Sequence, residues 1–418
     1  MRIERKSMGK GRERCYIENS SMNSIMLCQM YYMPLDKNAS QNALISKLLM
    51  RGTDVHKTAR DISRFLYDAY GAGAGLDISL KGEVYTLGLY CSYINPDKYA
   101  GNSNLNQTMI NFLKEVFYKP LLINGLFKED YFKTEKQNLI NEIDSKINNK
   151  EQYAFLRCCQ EMCEGEPYSI DRLGEKDWAE SITPEEAAER FLHIRDSCPS
   201  VLYVIGDLPT DKMERMLEDS FPPAASSDVK VTPPHPASGR VKNINEPMNI
   251  NQGKLFMGFR TETSLKDQLY PALAVTNSLL GGGAHSILFK ELREKNSLCY
   301  TVYSTIEKYQ GMLFVMAGID PKDKEKAREG ILKGLDTLCT GDFSQEDLEN
   351  SITSTKHNLC TVSDDKNLFL SYLQGLDVYN CSYTIDDLID RVDKVKKEDV
   401  VECSKRIKLD TVYFLGGR

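Results

Sequence analysis

Histidine is scarce in this chain. The five present, His56, His193, His235, His285 and His357, stand too far apart to form a local pair, so a local histidine-based metal motif is missing. Long apolar runs are missing too. No stretch approaches the roughly 18 residues of a membrane span, and "SIMLCQMYYM" is too short, lies too far from the start and lacks a cleavage pattern. The expectation is a cytoplasmic protein without a membrane partner. Positive charge is not in excess: the net charge is -7, and Lys and Arg are scattered among Asp and Glu, which argues against broad nucleic-acid binding. The one basic cluster, "MRIERKSMGKGRER", reads as a solvated N-terminal arm.

Twelve cysteines are present, but their spacing is irregular, and Cys158, Cys159 and Cys163 follow helical rather than C-x-x-C spacing. Reduced, mostly buried thiols are expected. "LLGGGAHS" lacks the G-x-x-x-x-G-K-[ST] spacing of a phosphate cradle. Gly281 to Gly283 therefore read as a tight turn for close packing, and His285 as a satisfied polar residue rather than a ligand.

What is there suits a globular chain of more than one domain: 418 residues, 41% apolar and 27% charged. Pro, Ser and Ala replace periodic apolar residues in "SFPPAASSDVKVTPPHPASGRVKNINEP", which predicts domains over 1–220 and 248–418 joined by a linker over 221–247. The first half closes with a helix from "SITPEEAAERF", with Thr183 as N-cap, Pro184 as first helical residue and Glu186 as capping-box acid, followed by the strand "SVLYVIGD". The second half closes alike. "VKKEDVVECSKRI" reads as helix and "DTVYFLGG" as strand, so that Tyr203 and Gly206 match Tyr413 and Gly416. "LLMRGT" likewise matches "LLGGGA", and "EVYTLGLYC" matches "GMLFVMAGI". The pattern predicts a duplicated α+β unit: two homologous domains, each an antiparallel or mixed sheet with helices packed on one face.

"LLMRGT", "EKQNLINEI", "EPYSIDRLGE" with "SITPEE", and "LLGGGAHSILFKELREKNSLCYTV" together resemble the pitrilysin/insulinase family of zinc peptidases over nearly the whole chain. That family carries an inverted H-x-x-E-H motif on the first helix of its first domain. In "QNALISKLLMRGT" the corresponding residues are Ala43, Ser46 and Lys47, none able to supply an imidazole ligand or a carboxylate base. Only the distal acids survive: Glu135 and Glu142 lie two helical turns apart, and Glu142 matches the family's third zinc ligand. A lone carboxylate does not hold zinc, so the resemblance implies no metal in this chain. Glu142 is then either a solvated helix charge or the partner of Lys47, whose ammonium would replace the lost metal charge.

In the second half, Arg293 and Tyr300 of "ELREKNSLCY" match the Arg and Tyr that active members bring to the cleavage site, where they clamp the substrate carbonyl as it becomes tetrahedral. On spacing alone they are equally a surface Arg and a packed strand Tyr. The resemblance implies the non-metal-binding subunit of a clam-shell heterodimeric zinc endopeptidase, inactive alone. Its partners would be a homologous H-x-x-E-H subunit holding the zinc and an extended peptide bound as an added strand. Similar paired bacterial proteins are associated with modification of elongation factor P or with maturation of peptide products. Two alternatives remain open: a non-enzymatic pseudo-peptidase that binds a partner or peptide, and independent zinc proteolysis from an unrelated metal site.

Overall fold

Two sheets carry the fold in this computed structural model, which describes residues 2–9, 11–20, 22–99, 101, 104–217, 229–237 and 239–417. Each sheet belongs to its own unit. Unit 1 comprises Met1–Ser145 with Ile170–Lys230, and unit 2 comprises Lys146–Ser169 with Val231–Arg418.

In unit 1, β1 (Arg2–Ser7), β2 (Arg12–Glu18), β3 (Ser24–Pro34), β4 (Gly73–Lys81), β5 (Val84–Ile94) and β8 (Ser200–Gly206) form one sheet. Its order is β1-β2-β8-β3-β5-β4, and a separate small hairpin pairs β6 (Leu122–Ile123) with β7 (Leu126–Phe127). The helices are α1 (Ala39–Leu48), α2 (Ala59–Asp68), the short α3 (Pro96–Tyr99), α4 (Asn104–Tyr118) and α5 (Glu129–Ser145). After α6 (Lys150–Met162), which belongs to unit 2, come α7 (Lys176–Ser181), α8 (Pro184–Ser197) and α9 (Thr210–Leu217). Leu44, Ile45, Leu48 and Leu49 of the first helical run are buried with Tyr31, Tyr85, Phe112 and Leu139. Burial of each such aliphatic side chain is worth about 1.5–3 kcal/mol, enough to keep the helix for packing alone. The α8 start follows its sequence: Thr183 caps the Glu186 amide, Glu186 answers at the Thr183 amide, and Pro184 opens the helix.

In unit 2, β9 (Lys242–Glu246), β10 (Gly253–Arg260), β11 (Cys299–Glu307), β12 (Met312–Ile319) and β13 (Lys408–Leu415) order as β11-β12-β10-β13-β9. Its remaining helices are α10 (Tyr270–Gly281), α11 (Lys324–Thr340), α12 (Gln345–Asp364), α13 (Lys366–Val378), α14 (Ile385–Asp393) and α15 (Lys397–Arg406). Both sheets are mixed, with β2 parallel to β8 and β9 parallel to β13. Reading β2-β8-β3-β5-β4 against β9-β13-β10-β12-β11 gives the same order of pairings twice, as a duplication requires. Gly206 at the end of β8 and Gly416 just after β13 take φ +156° and +138° at equivalent places, where a side chain is strained.

Three expectations need correction. The basic N-terminal stretch is not a solvated arm but the β1–β2 hairpin, in which Arg12 donates to the Tyr118 hydroxyl at 2.8 Å and Arg14 to Glu214 at 3.1 Å. Both are buried, because paired acceptors make buried guanidinium groups tolerable. The linker is shorter than 221–247: Lys242–Glu246 pair with Thr411–Leu415 as β9, while residues 221–228 lie outside the described residues.

The third correction is the helix α6, which sits with unit 2 rather than within a 1–220 domain. Its Ala154, Cys158 and Met162 pack on Phe256, Phe314 and Tyr413, and a Cβ at Gly258 would lie 2.6 Å from the Met162 sulfur. A salt link fixes its end. Arg260, almost fully buried, donates to both Glu166 oxygens at 2.7 and 3.1 Å and to the Met162 carbonyl at 3.1 Å, with Asp410 at 3.7 Å from Nε. Hydrophobic periodicity could not find this, since an amphipathic helix does not say which sheet it covers. All twelve cysteines are free, and Cys360 alone among them is exposed.

Candidate functional site

The α1 run ends in Arg-Gly-Thr for a structural reason. A Cβ on Gly52 would lie 2.6 Å from the Lys57 carbonyl oxygen, so only glycine lets the following turn close. Thr53 then accepts from the amides of Val55 and His56 at 3.3 and 2.8 Å and donates to Glu115 on α4. His56 Nδ1 meets the same carboxylate at 2.8 Å, its ring 4.7 Å from that of Phe65. Replacing Thr53 with Val removes an almost isosteric hydroxyl and leaves those groups unsatisfied. The expected loss is about 1–3 kcal/mol in urea unfolding of the full chain.

On α1, Ala43 is wholly buried and Ser46 turns its hydroxyl back to the Ala43 carbonyl at 2.7 Å. Lys47 Nζ lies 2.6 Å from Glu142 Oε2. Two turns of α5 away, Glu135 is buried, ion-pairs with Arg51 Nε at 3.1 Å and accepts from the Asn138 side-chain amide at 3.1 Å. A zinc site needs two neutral imidazoles and a carboxylate. Here a methyl and an ammonium stand where the imidazoles belong, a self-bonded hydroxyl where the carboxylate base belongs, and the remaining ligand carboxylate is already matched by a cation. These residues do not fit zinc.

Glu142 is thus both paired and solvated: it meets Lys47, but the pair is not buried. Its side chains are 27% and 40% exposed, so water screens it and its worth is about 0–1 kcal/mol. Lys47→Ala should therefore change the urea midpoint little; a loss above about 2 kcal/mol would mean a desolvated pair. Both acids and Lys47 face a cleft of about 330 Å³ with Ser46, Asp77 of the edge strand β4, and Arg172. Met50, Leu76, Ile78 and Leu173 supply its apolar lining. Arg51, Asp77 and Arg172 escaped the sequence reading, although "LLMRGT" and "DRLGE" contain two of them.

In unit 2, residues Phe289–Lys295 form a π-helical turn whose Leu292 is buried and whose Arg293 is exposed, the guanidinium 4.9 Å from the Phe289 ring centre. Lys290 ties the turn to α12 through Asp347 at 2.8 Å. Hydrogen bonds from Lys290 and Ser344 hold the Asp347 carboxyl down to about 2. A carboxyl depressed in this way stabilises the fold fully above its unfolded value, and the contribution is lost as pH falls toward 2.

The Leu298 amide donates to the Leu292 carbonyl at 2.8 Å and joins the turn to β11. At Tyr300 the register of β11 against β12 slips, between Cys299 and Thr301. A bulge there re-aims a side chain, and Tyr300 is 68% exposed rather than packed in a core. Gly281 fits its expected role, since a Cβ there would lie 2.6 Å from the Ser304 amide nitrogen. His285 Nε2 lies 3.3 Å from the Ser278 hydroxyl.

Residues 197–355 match the family model described as the peptidase M16 inactive domain. The chain is 30% identical to the probable inactive metalloprotease YmfF of Bacillus subtilis, over 99% of this chain and 98% of that protein. It is 22% identical to the antilisterial bacteriocin subtilosin biosynthesis protein AlbE of Bacillus subtilis, over 86% and 89% of the two. Among solved structures, a conserved protein from Enterococcus faecalis superposes with a TM-score of 0.92 at 23% identity, covering 100% of this chain and 99% of that one. That likeness shows the fold. No described helix is long and apolar enough to cross a membrane.

Proposed function

This chain belongs to the M16 peptidase family, with an inactive-domain match, and from that premise we propose that it is the non-metallated subunit of a heterodimeric zinc endopeptidase. It would line part of the substrate chamber and lend Arg293 and Tyr300 to a homologous H-x-x-E-H subunit that holds the zinc. The observation that supports this reading is the state of those two donors. Both are exposed, and neither side chain makes a hydrogen bond within the described residues. A guanidinium and a phenol so placed can donate to a substrate carbonyl oxygen as negative charge develops on it, without changing protonation state themselves.

The substrate is an extended peptide. β4 and β11 each end a sheet, and an edge offers unpaired amides and carbonyls to an added strand. Short backbone-read peptides agree with the biosynthetic role that the name of the AlbE relative records. The test is hydrolysis of an unstructured peptide, with zinc content by elemental analysis, by this chain alone and mixed with an H-x-x-E-H homologue. Activity confined to the mixture is the expected result. Zinc and activity in the lone chain would overturn the reading. A stable complex whose rate is that of the homologue alone would favour a binding scaffold.

A further inference from the structure

Six charged groups meet in and beside the cleft of unit 1: Lys47, Arg51 and Arg172 against Asp77, Glu135 and Glu142. Their formal charges cancel. Four are already matched, Lys47 with Glu142 and Arg51 with Glu135. Arg172 and Asp77 are left over: both face the cleft, both are exposed, and neither side chain makes a hydrogen bond or ion pair with any described residue. They do not pair with each other, so space separates a free cation from a free anion.

We propose that this cleft binds a short zwitterionic peptide, its C-terminal carboxylate on Arg172, its N-terminal ammonium on Asp77 and its side chains against Met50, Leu76 and Ile78. Charge complementarity selects the class. With Glu135 neutralised by Arg51 beside the cleft, the remaining lining charges cancel, which favours a ligand of zero net charge, and the guanidinium fork matches a carboxylate in two parallel hydrogen bonds. Lys47 is already engaged by Glu142 at 2.6 Å, which leaves Arg172 as the cleft cation without a partner among the described residues. A volume of about 330 Å³ lies at the small end of ligand sites, which limits the occupant to a few residues. The site needs neither a partner subunit nor hydrolysis, so it stands or falls apart from the peptidase reading.

The experiment is calorimetric titration of the full chain with the dipeptide Ala-Leu, its N-acetyl form and its C-terminal amide. Blocking either end should weaken binding about tenfold or more, the equivalent of one lost charge-assisted hydrogen bond. Arg172→Ala should bind the free dipeptide and its amide alike, and Asp77→Asn the free and acetylated forms alike. Both residues are exposed and unpaired, so neither substitution disturbs packing. Equal binding of all three ligands to the wild-type chain, no binding at millimolar concentration, or end-group discrimination that survives both substitutions would overturn the proposal.

Discussion

In a reconstituted complex, Arg293→Ala lowers kcat by about 10²–10³ with little change in KM, and Tyr300→Phe does much the same. The size follows from the chemistry asked of the pair: a donor aimed at a developing oxyanion is worth about 2.7–4 kcal/mol in the transition state and little in the ground state. Tyr300→Phe is the sharper probe. It removes only the hydroxyl of an exposed side chain, so the β11 bulge and the fold stay as they are. If both donors serve one oxygen, as proposed, the double variant should lose less than the product of the two. Steady-state kinetics with assembly checked by size exclusion separates the outcomes: unchanged kcat in intact complexes would remove both residues from the chemistry.

The second large effect lies in stability. Arg260→Met should cost about 3–5 kcal/mol, since removing the cation from a buried network leaves its carboxylates uncompensated. Asp410 is almost fully buried and Glu166 only slightly exposed. Hydrogen exchange locates the damage: amides of α6 should lose protection before those of β12, because Arg260 holds the end of α6 through the Met162 carbonyl and Glu166. Adding Glu166→Gln to Arg260→Met should recover part of the loss. Equal protection across the unit would mean that Arg260 supports the sheet as a whole.

How much of this was legible in the sequence depends on the range of the interaction. The α8 capping box, the closing strands β8 and β13 and the Gly281 turn follow from local chemistry, and each stands where the residues predict it. The loss of metal ligands at Ala43, Ser46 and Lys47 was readable too, and so was a Lys47–Glu142 contact, though not its exposure. What escaped was set by distant partners. Nothing near Arg12 or Arg14 announces Tyr118 or Glu214, so a hairpin with two buried arginines reads as a charged tail. Nothing near Arg51 announces Glu135, and no period in α6 names the sheet it covers. The exposure of Tyr300 hangs on a one-residue register slip, which flips a side chain from one face to the other without changing composition.

The placement of α6 also bears on how the protein is made. A ribosome finishes this helix well before β10, β12 and β13, the strands it covers, have been synthesised. Until they emerge, Ala154, Cys158 and Met162 have no seat, and the nascent chain carries a sticky helix whose natural custodian is a chaperone. A gene cut at the Pro-rich stretch would make that delay permanent. Its first product would keep α6 with nowhere to dock, and its second would bare Phe256, Phe314 and Tyr413, so the two pieces should be insoluble apart and rescue each other when expressed together.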